Sequence, residues 1–515
     1  MATLGTPDAE SLGTEYKSVK PRHRNLYLVA FIALNGPTMI GFTLAFTSPA
    51  VPDMENRNVL TTDTQISWFS SLMAIGAIIG GPVAGYCLSH YGRKFTMMLC
   101  NLPLTFGYGL IASLDNVASL YVGRILTGIG TGMFSLSTPV YISELSSPNL
   151  RGFLVGGVQM FLGFGLVIVN ALGITLSYVW LAVVGSALST VILMLLLFMP
   201  ETPHYCIGKN DRSRALSTLK WLRGDAYDVE REYKEIAEAT KSNSEEFQYI
   251  EFLQPNIYIP LGISIMLMVF QQFSGIGPVT FYSVTIFQSA SPSLDDNVAA
   301  IIIAAVQVVA TFISMLLIER TGRKILLIVA AIGMCISTTT FGLYYKLTEV
   351  TTNSGTLNNL EMTAPPSVDG NVNMSTVSYE LLYSTTATTS SPSTLDLTWL
   401  SLSSLVVFTS SFALAWGSIP WLIMSEILPT RARASASAVA TMFNWLSAFT
   451  VTKEFFDMSA AMTDAGVFWF YGGMCFLSVI FVTFCVPETK GKSLEEISTT
   501  FDRGSKYKVC YDCTT

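Results

Sequence analysis

The chain has 515 residues, half of them hydrophobic and only 13% charged, and its mean hydropathy is positive at +0.49. That balance excludes an ordinary soluble globular protein and points to a membrane protein. The formal net charge of −7 says little about partners, because the charges sit in the tails and between apolar runs.

No cleavable signal peptide precedes the first apolar run, so that run is expected to stay as a span after a polar tail over 1–25. Runs near the ~20 residues that a bilayer-crossing helix needs occur at 26–49, 66–88, 95–113, 119–142, 152–174 and 178–199. Six more follow a gap, at 257–287, 297–318, 325–347, 399–424, 434–456 and 464–486. The expected fold is an all-α membrane protein of 12 transmembrane helices in two six-helix halves, 26–199 and 257–486. Segment 200–256 is charged and helix-patterned, an amphipathic linker. The stretch 348–397 is a Ser/Thr-rich loop, and 487–515 is a tail.

Orientation follows from the basic residues. With both termini in the cytosol, the inner face collects Lys17, Lys20, Arg22, Arg24, Arg93, Lys94, Arg151, Arg320, Arg323, Lys324, Arg431 and Arg433, besides those of the linker and tail. Arg57, Arg124, Lys346 and Lys453 are left on the outer side. The one Asn-x-Ser/Thr sequon, Asn373-Met374-Ser375, falls in the outer loop 348–397, where glycosylation is possible. The eight cysteines are scattered, and no disulfide framework is expected. Tyr16-Lys17-Ser18-Val19 has the form of a sorting signal, and Cys510 and Cys513 form a lone CxxC without further ligands.

The halves repeat. Gly92-Arg93-Lys94 returns as Gly322-Arg323-Lys324, the Glu144 stretch PVYISE as PWLIMSE ending at Glu426, and Pro200-Glu201-Thr202 as Pro487-Glu488-Thr489. In secondary transporters built from such repeats, the substrate site lies between them, at helices broken by Gly and Pro. Such breaks are expected in the first span (Gly36, Pro37, Gly41), the fourth (Gly128, Gly130, Gly132, Pro139), the seventh (Gly275, Gly277, Pro278) and the tenth (Gly417, Pro420). The seventh also carries Gln271, Gln272 and Ser274, groups that hydrocarbon alone would leave unpaired at a cost of several kcal/mol.

Together, YGRK after the second span, PVYISELSSPNLRG, PETPHY, QQFSGIGPVTFY, ERTGRK, SIPWLIMSEILPTRARA with FNW beyond it, and VPETKGKSLEEI resemble the sugar porters of the major facilitator superfamily. Within that family the chain is most similar to the animal facilitative glucose transporters of the branch with a long glycosylated loop between helices nine and ten. The resemblance covers about 26–497. It implies a sugar site at Gln159, Gln271, Gln272, Gln307, Trp421, Asn444 and Trp445, with Gly275, Gly277 and Pro278 as hinge and Tyr282 as an outer gate. Amides suit hydroxyls that both donate and accept, and indoles suit the C–H faces of a pyranose. The same residues have blander readings, the glutamines as interhelical glue and the tryptophans and Tyr282 as packing. The resemblance also implies a cytosolic ion-pair network of Arg93, Glu144, Arg151, Glu201, Glu319, Arg323, Glu426, Arg433 and Glu488, made when the inner ends close and broken as they part.

Four positions depart from the family: Ser89, Gly277 and Ala413 replace its aspartate, asparagine and glutamate, and Thr43 stands where proton-coupled members carry aspartate. With no carboxylate inside spans one, four, seven or ten, the expected activity is uniport of a hexose, glucose first, by rocking of the halves. Proton-coupled symport and a non-transporting sugar sensor are the alternatives, and fructose, galactose or trehalose the alternative substrates. No enzyme motif, cofactor site, metal site or nucleic-acid surface is expected. The working unit is expected to be a monomer in a lipid bilayer, the plasma membrane first and an endosomal or lysosomal membrane second.

Overall fold

The computed structural model describes residues 23–114, 116–224, 227–242, 252–290, 296–362, 398–429 and 432–490. Asn373, Tyr16–Val19, Cys510 and Cys513 lie outside them. Among the described residues all regular structure is helical. The first span is α1 (Arg24–Ala45) continued by α2 (Thr47–Asn56). Next come α3 (Asp63–His90), α4 (Arg93–Ser113), α5 (Val117–Leu145), α6 (Pro148–Gly173) and α7 (Tyr178–Leu197). Three short helices, α8 (Pro203–Gly208), α9 (Arg212–Arg223) and α10 (Val229–Ser242), form the linker. The seventh span is cut into α11 (Pro255–Gln271), a π-helical turn (Gln272–Ile276), α12 (Gly277–Phe281) and α13 (Ser283–Ala290). After α14 (Asp296–Thr321) and α15 (Arg323–Met362), the tenth span is α16 (Thr398–Ser411), a second π turn (Phe412–Trp416) and α17 (Ile419–Ile427). The last two are α18 (Arg433–Lys453) and α19 (Phe455–Cys485).

Eleven of the twelve expected spans are long and apolar enough to cross a membrane. The remaining one, the eleventh span α18, is long enough but rich in Ser, Thr and small residues around Asn444. It packs against α3 of one half and α11 of the other, so Thr441, Asn444, Ser447 and Thr452 meet protein rather than lipid. The expected start of the last span at 464 falls at a break inside α19, where Thr463 has φ of 66°. Helix α15 runs on to Met362, well past the expected end at 347.

Local chemistry explains where the helices begin. Thr62, Asn116, Thr202 and Asp211 cap α3, α5, α8 and α9 with side-chain oxygens. Prolines open α6, α8, α11 and α17, where the missing N–H costs nothing. The glycines of the fourth span have another use than the one expected. Helix α5 runs unbroken, and a Cβ on Gly128 or Gly132 would lie 2.1 Å from Met73 O or 2.3 Å from Ala77 O. They let α5 press onto α3 and are not hinges.

The linker helices share a small core of Cys206, Ile207 and Ala215 with Tyr233, Ile236 and Ala237. Arg223 ties them to the first half, donating to Leu145 O at 3.1 Å and pairing with Glu232 at 2.8 Å. The two halves meet where α18 packs on α3, α14 on α6 and α2 on α13. At that end Thr47 Oγ1 donates to Phe281 O at 3.0 Å, and Val284 N donates to Ser48 Oγ at 3.4 Å. The ends of the halves opposite the Gly-Arg-Lys turns are thus held together.

Candidate functional site

The polar anomaly of the seventh span becomes an amide cluster at the first π turn. A π turn places an extra residue in the helix and re-aims the side chains beside it. Gln271 is buried; its Nε2 donates to Trp416 O at 2.5 Å, and its Oε1 accepts from Asn444 Nδ2 at 2.7 Å. Gln272, half-buried, donates from Nε2 to Asn444 Oδ1 at 3.2 Å. One asparagine of α18 therefore joins both glutamines, and the carbonyl that anchors Gln271 sits in the second π turn. Gln159 of α6 approaches from the other half: a Cβ on Gly417 would lie 3.1 Å from its Nε2.

Trp445 is buried beside Asn444 in sequence, with its indole N–H unpartnered. Trp421 is half-buried and packs on the cluster of Met268, Met424, Leu428, Ala436 and Ala440. Gln307 is not drawn to the glutamine pair; it lines a separate small cavity between the halves. Tyr282 sits beyond α12 at the end where the halves meet, fully buried, stacked on Phe455 at 5.4 Å and edge-on to Phe456 at 5.0 Å. Its hydroxyl donates to Thr452 O at 3.4 Å.

Of the three proposed hinge residues, Gly275 alone has a left-handed backbone, φ 94°, and a Cβ there would lie 2.6 Å from the Tyr471 ring. Gly277 has φ of −54°, an ordinary helical value, and Pro278 stands in the first turn of α12 where it is tolerated.

The charged residues close within each half. Arg93 pairs with Glu144 at 2.7 Å, whose other oxygen accepts from Thr202 Oγ1 at 2.6 Å, and Arg323 pairs with Glu426 at 3.1 Å. Glu201 accepts from the backbone N–H groups of Arg93 and Lys94, and Glu488 from those of Arg323 and Lys324. Each carboxylate thereby satisfies the free N-terminus of α4 or α15. The glycines before them, Gly92 and Gly322, have φ of 97° and 98° and leave room for those carboxylates. Arg433 donates to Leu428 O. The side chains of Arg151 and Glu319 lie outside the described residues. Among the described residues no ion pair joins the halves, as fits a structure in which the opposite ends are the closed ones.

The sequence profile of the sugar (and other) transporter family matches residues 28–362 and 381–501. The chain belongs to the sugar transporter family. It is 36% identical to the Bos taurus protein named solute carrier family 2, facilitated glucose transporter member 8, over 94% of this chain and 95% of that one. It is 34% identical to the facilitated trehalose transporter Tret1 of Apis mellifera ligustica, over 95% of this chain and 91% of that one. Its fold is similar to that of the xylose transporter XylE from E. coli in an inward open conformation, with a TM-score of 0.70 at 24% identity, covering 92% of this chain and all of that one.

Three residues of this sugar transporter escaped the sequence reading. Arg124 was expected on the outer side, but it is fully buried in α5, donating to Phe69 O at 3.1 Å and Thr43 O at 3.2 Å. It lies over the Phe69 ring at 5.3 Å. An arginine inside an apolar run is a signal in itself, and 119–142 is such a run. The carbonyl of Thr43 belongs to the last turn of α1, so the cation meets the negative end of a broken helix in place of a carboxylate. Trp416, which supplies the Gln271 anchor, is fully buried and donates from Nε1 to Leu327 O at 3.1 Å. The third is Asn170, taken up below.

Glu201 gives a prediction outside the membrane. Burial raises its carboxyl above the ordinary 4.5, against the lowering by the N–H groups of Thr202, Lys94 and Arg93 and by the Arg93 charge. A carboxyl harder to ionise in the folded chain than in the unfolded one contributes stability that is complete below pH 4.5. That contribution is lost as pH rises through the raised value. The thermal midpoint of the wild type relative to Glu201→Gln is therefore expected to fall as pH rises above about 4.5. A midpoint difference that stays constant across the series would show that the titration of Glu201 does not differ between the two states.

Proposed function

We propose that the protein is a facilitative carrier of sugars, a uniporter that takes hexose, glucose first, by alternating access between the two halves. The observation that carries this reading is the amide cluster of Gln271, Gln272 and Asn444, assembled from two spans at a π turn and approached by Gln159 from the other half. Amides at such a junction offer donors and acceptors together, the pattern a ring of hydroxyls requires. Each hydrogen bond nets about 0.5–1.5 kcal/mol, so a few of them, less the cost of ordering, give roughly millimolar binding. A carrier must release what it binds, and weak binding serves that.

Uniport is supported by the surroundings of Thr43. Its hydroxyl accepts from Tyr108 and its carbonyl from Arg124, so no carboxylate stands there to alternate between charged and neutral forms. With the Gly-Arg-Lys turns taken as cytosolic, Tyr282 closes the outer path and the structure corresponds to the state closed to the outside. We place the carrier in the plasma membrane, working as a monomer.

The test is uptake of a labelled sugar panel into proteoliposomes, with and without an imposed pH gradient. Equal initial rates of glucose entry in both conditions are expected. A rate that rises with inward proton drive would replace uniport by symport, and no uptake of any sugar would remove the transport reading.

A further inference from the structure

We infer that this carrier has a second sugar subsite, in which Asn170 of α6 receives the second ring of a disaccharide, beyond the ring held at the glutamine pair. The inference rests on the sugar-carrier reading and deepens it.

Asn170 is 4% exposed, and its Nδ2 donates to Leu166 O at 2.9 Å, which leaves Oδ1 as the free group. That oxygen is buried and has no partner. A buried acceptor without a donor is destabilising, so its retention is explained by a donor that arrives in another state of the cycle. Asn170 lines a cavity of about 10 Å³ between the halves, room for roughly one water. The opposite wall carries Gln307, Thr280, Ser283 and Thr409 from three spans of the second half. Among the described residues no hydrogen bond uses the Gln307 amide. The cavity is therefore rich in groups suited to hydroxyls, and two of its amide functions are unspent.

Its position fits one ligand that spans two sites. Gln159 and Asn170 are eleven residues apart on one helix, about three turns, hence on the same face and ~16 Å apart along the axis. Ile276 and Thr280 of the seventh span carry the cavity wall directly past the π turn that bears Gln272. One pyranose cannot bond at both Gln159 and Asn170, whereas two linked rings extend from one toward the other. The walls that would widen the cavity are α12 and α13, the segments held to Thr47 and Ser48 in this closed state.

The experiment is uptake of labelled trehalose and labelled glucose by the full-length protein in proteoliposomes. The wild type is expected to carry both. Asn170→Ala is expected to raise the KM for trehalose about tenfold, one buried hydrogen bond, and to leave the KM for glucose within about twofold. Thr409→Val, which keeps the volume and removes a hydroxyl from the opposite wall, is expected to move in the same direction and serves if Asn170→Ala does not fold. Overturning results are a wild type that carries glucose but no trehalose, trehalose kinetics indifferent to both variants, or equal losses for both sugars. A wild type that carries neither sugar would instead overturn the proposed function itself.

Discussion

Gly275→Ala is expected to lower the thermal midpoint of the purified carrier sharply and to remove most of its transport, while Gly277→Ala leaves both close to wild type. At φ of 94° an L residue at position 275 takes on a left-handed strain of about 1–2 kcal/mol. Its Cβ would also lie 2.6 and 2.8 Å from ring atoms of Tyr471. That ring is buried and meets the rings of Phe468 and Phe470 edge-on. Overpacking of this kind adds roughly 1–3 kcal/mol. The sum is a large part of the 5–15 kcal/mol that separates a folded domain from its unfolded chain. Position 277 differs in each respect. Its backbone is helical, the nearest atom to an added Cβ is Thr452 Oγ1 at 3.2 Å, and alanine favours helix over glycine by about 1 kcal/mol. Thermal melts and initial uptake rates of the two variants decide the matter. Wild-type behaviour at 275, or collapse at 277, would show that the bend of the seventh span is not pinned at Gly275.

Gln271→Ala is expected to cut kcat/KM for hexose entry by about tenfold or more, since it removes an amide that bonds two neighbouring spans and that we propose meets the sugar. The link to Trp416 O and the link from Asn444 both vanish with it. Two roles are entangled here, contact with sugar and adhesion between helices, and a double-mutant cycle with Asn444→Ala separates them. A coupling of about 0.5–3 kcal/mol in thermal stability reports adhesion; loss of affinity beyond it reports contact with the sugar. If uptake and affinity are both unchanged in Gln271→Ala, the residue does not belong to the substrate site.

Much of this was legible beforehand because membrane insertion writes itself into composition. Runs of apolar residues marked twelve spans, eleven of which are long and apolar enough in the structure to cross a membrane, and the paired Gly-Arg-Lys and Pro-Glu-Thr stretches marked the two halves. Their use was less visible. Glu201 and Glu488 read as members of an ion-pair network, yet their oxygens mainly serve backbone N–H groups of α4 and α15, a pairing that depends on chain ends meeting in space. Glycine was the least transparent signal. The same residue type marks a close approach at Gly128, a left-handed turn at Gly275 and nothing obligatory at Gly277, and only the neighbouring atoms distinguish the three. Asn170 and Gln307 lie 137 positions apart, and their shared cavity has no trace in the order of residues.

The modest hydropathy of α18 bears on how the protein is made. A segment carrying Asn444 amid serine and threonine gains little by leaving water on its own. Its membrane entry as the chain emerges from the ribosome then depends on a neighbour already there, and α11, its packing partner through Asn444 and Gln271, is synthesised well before it. The polar contacts that we propose receive substrate would thus also be the handle by which the carrier's eleventh helix is retained in the bilayer.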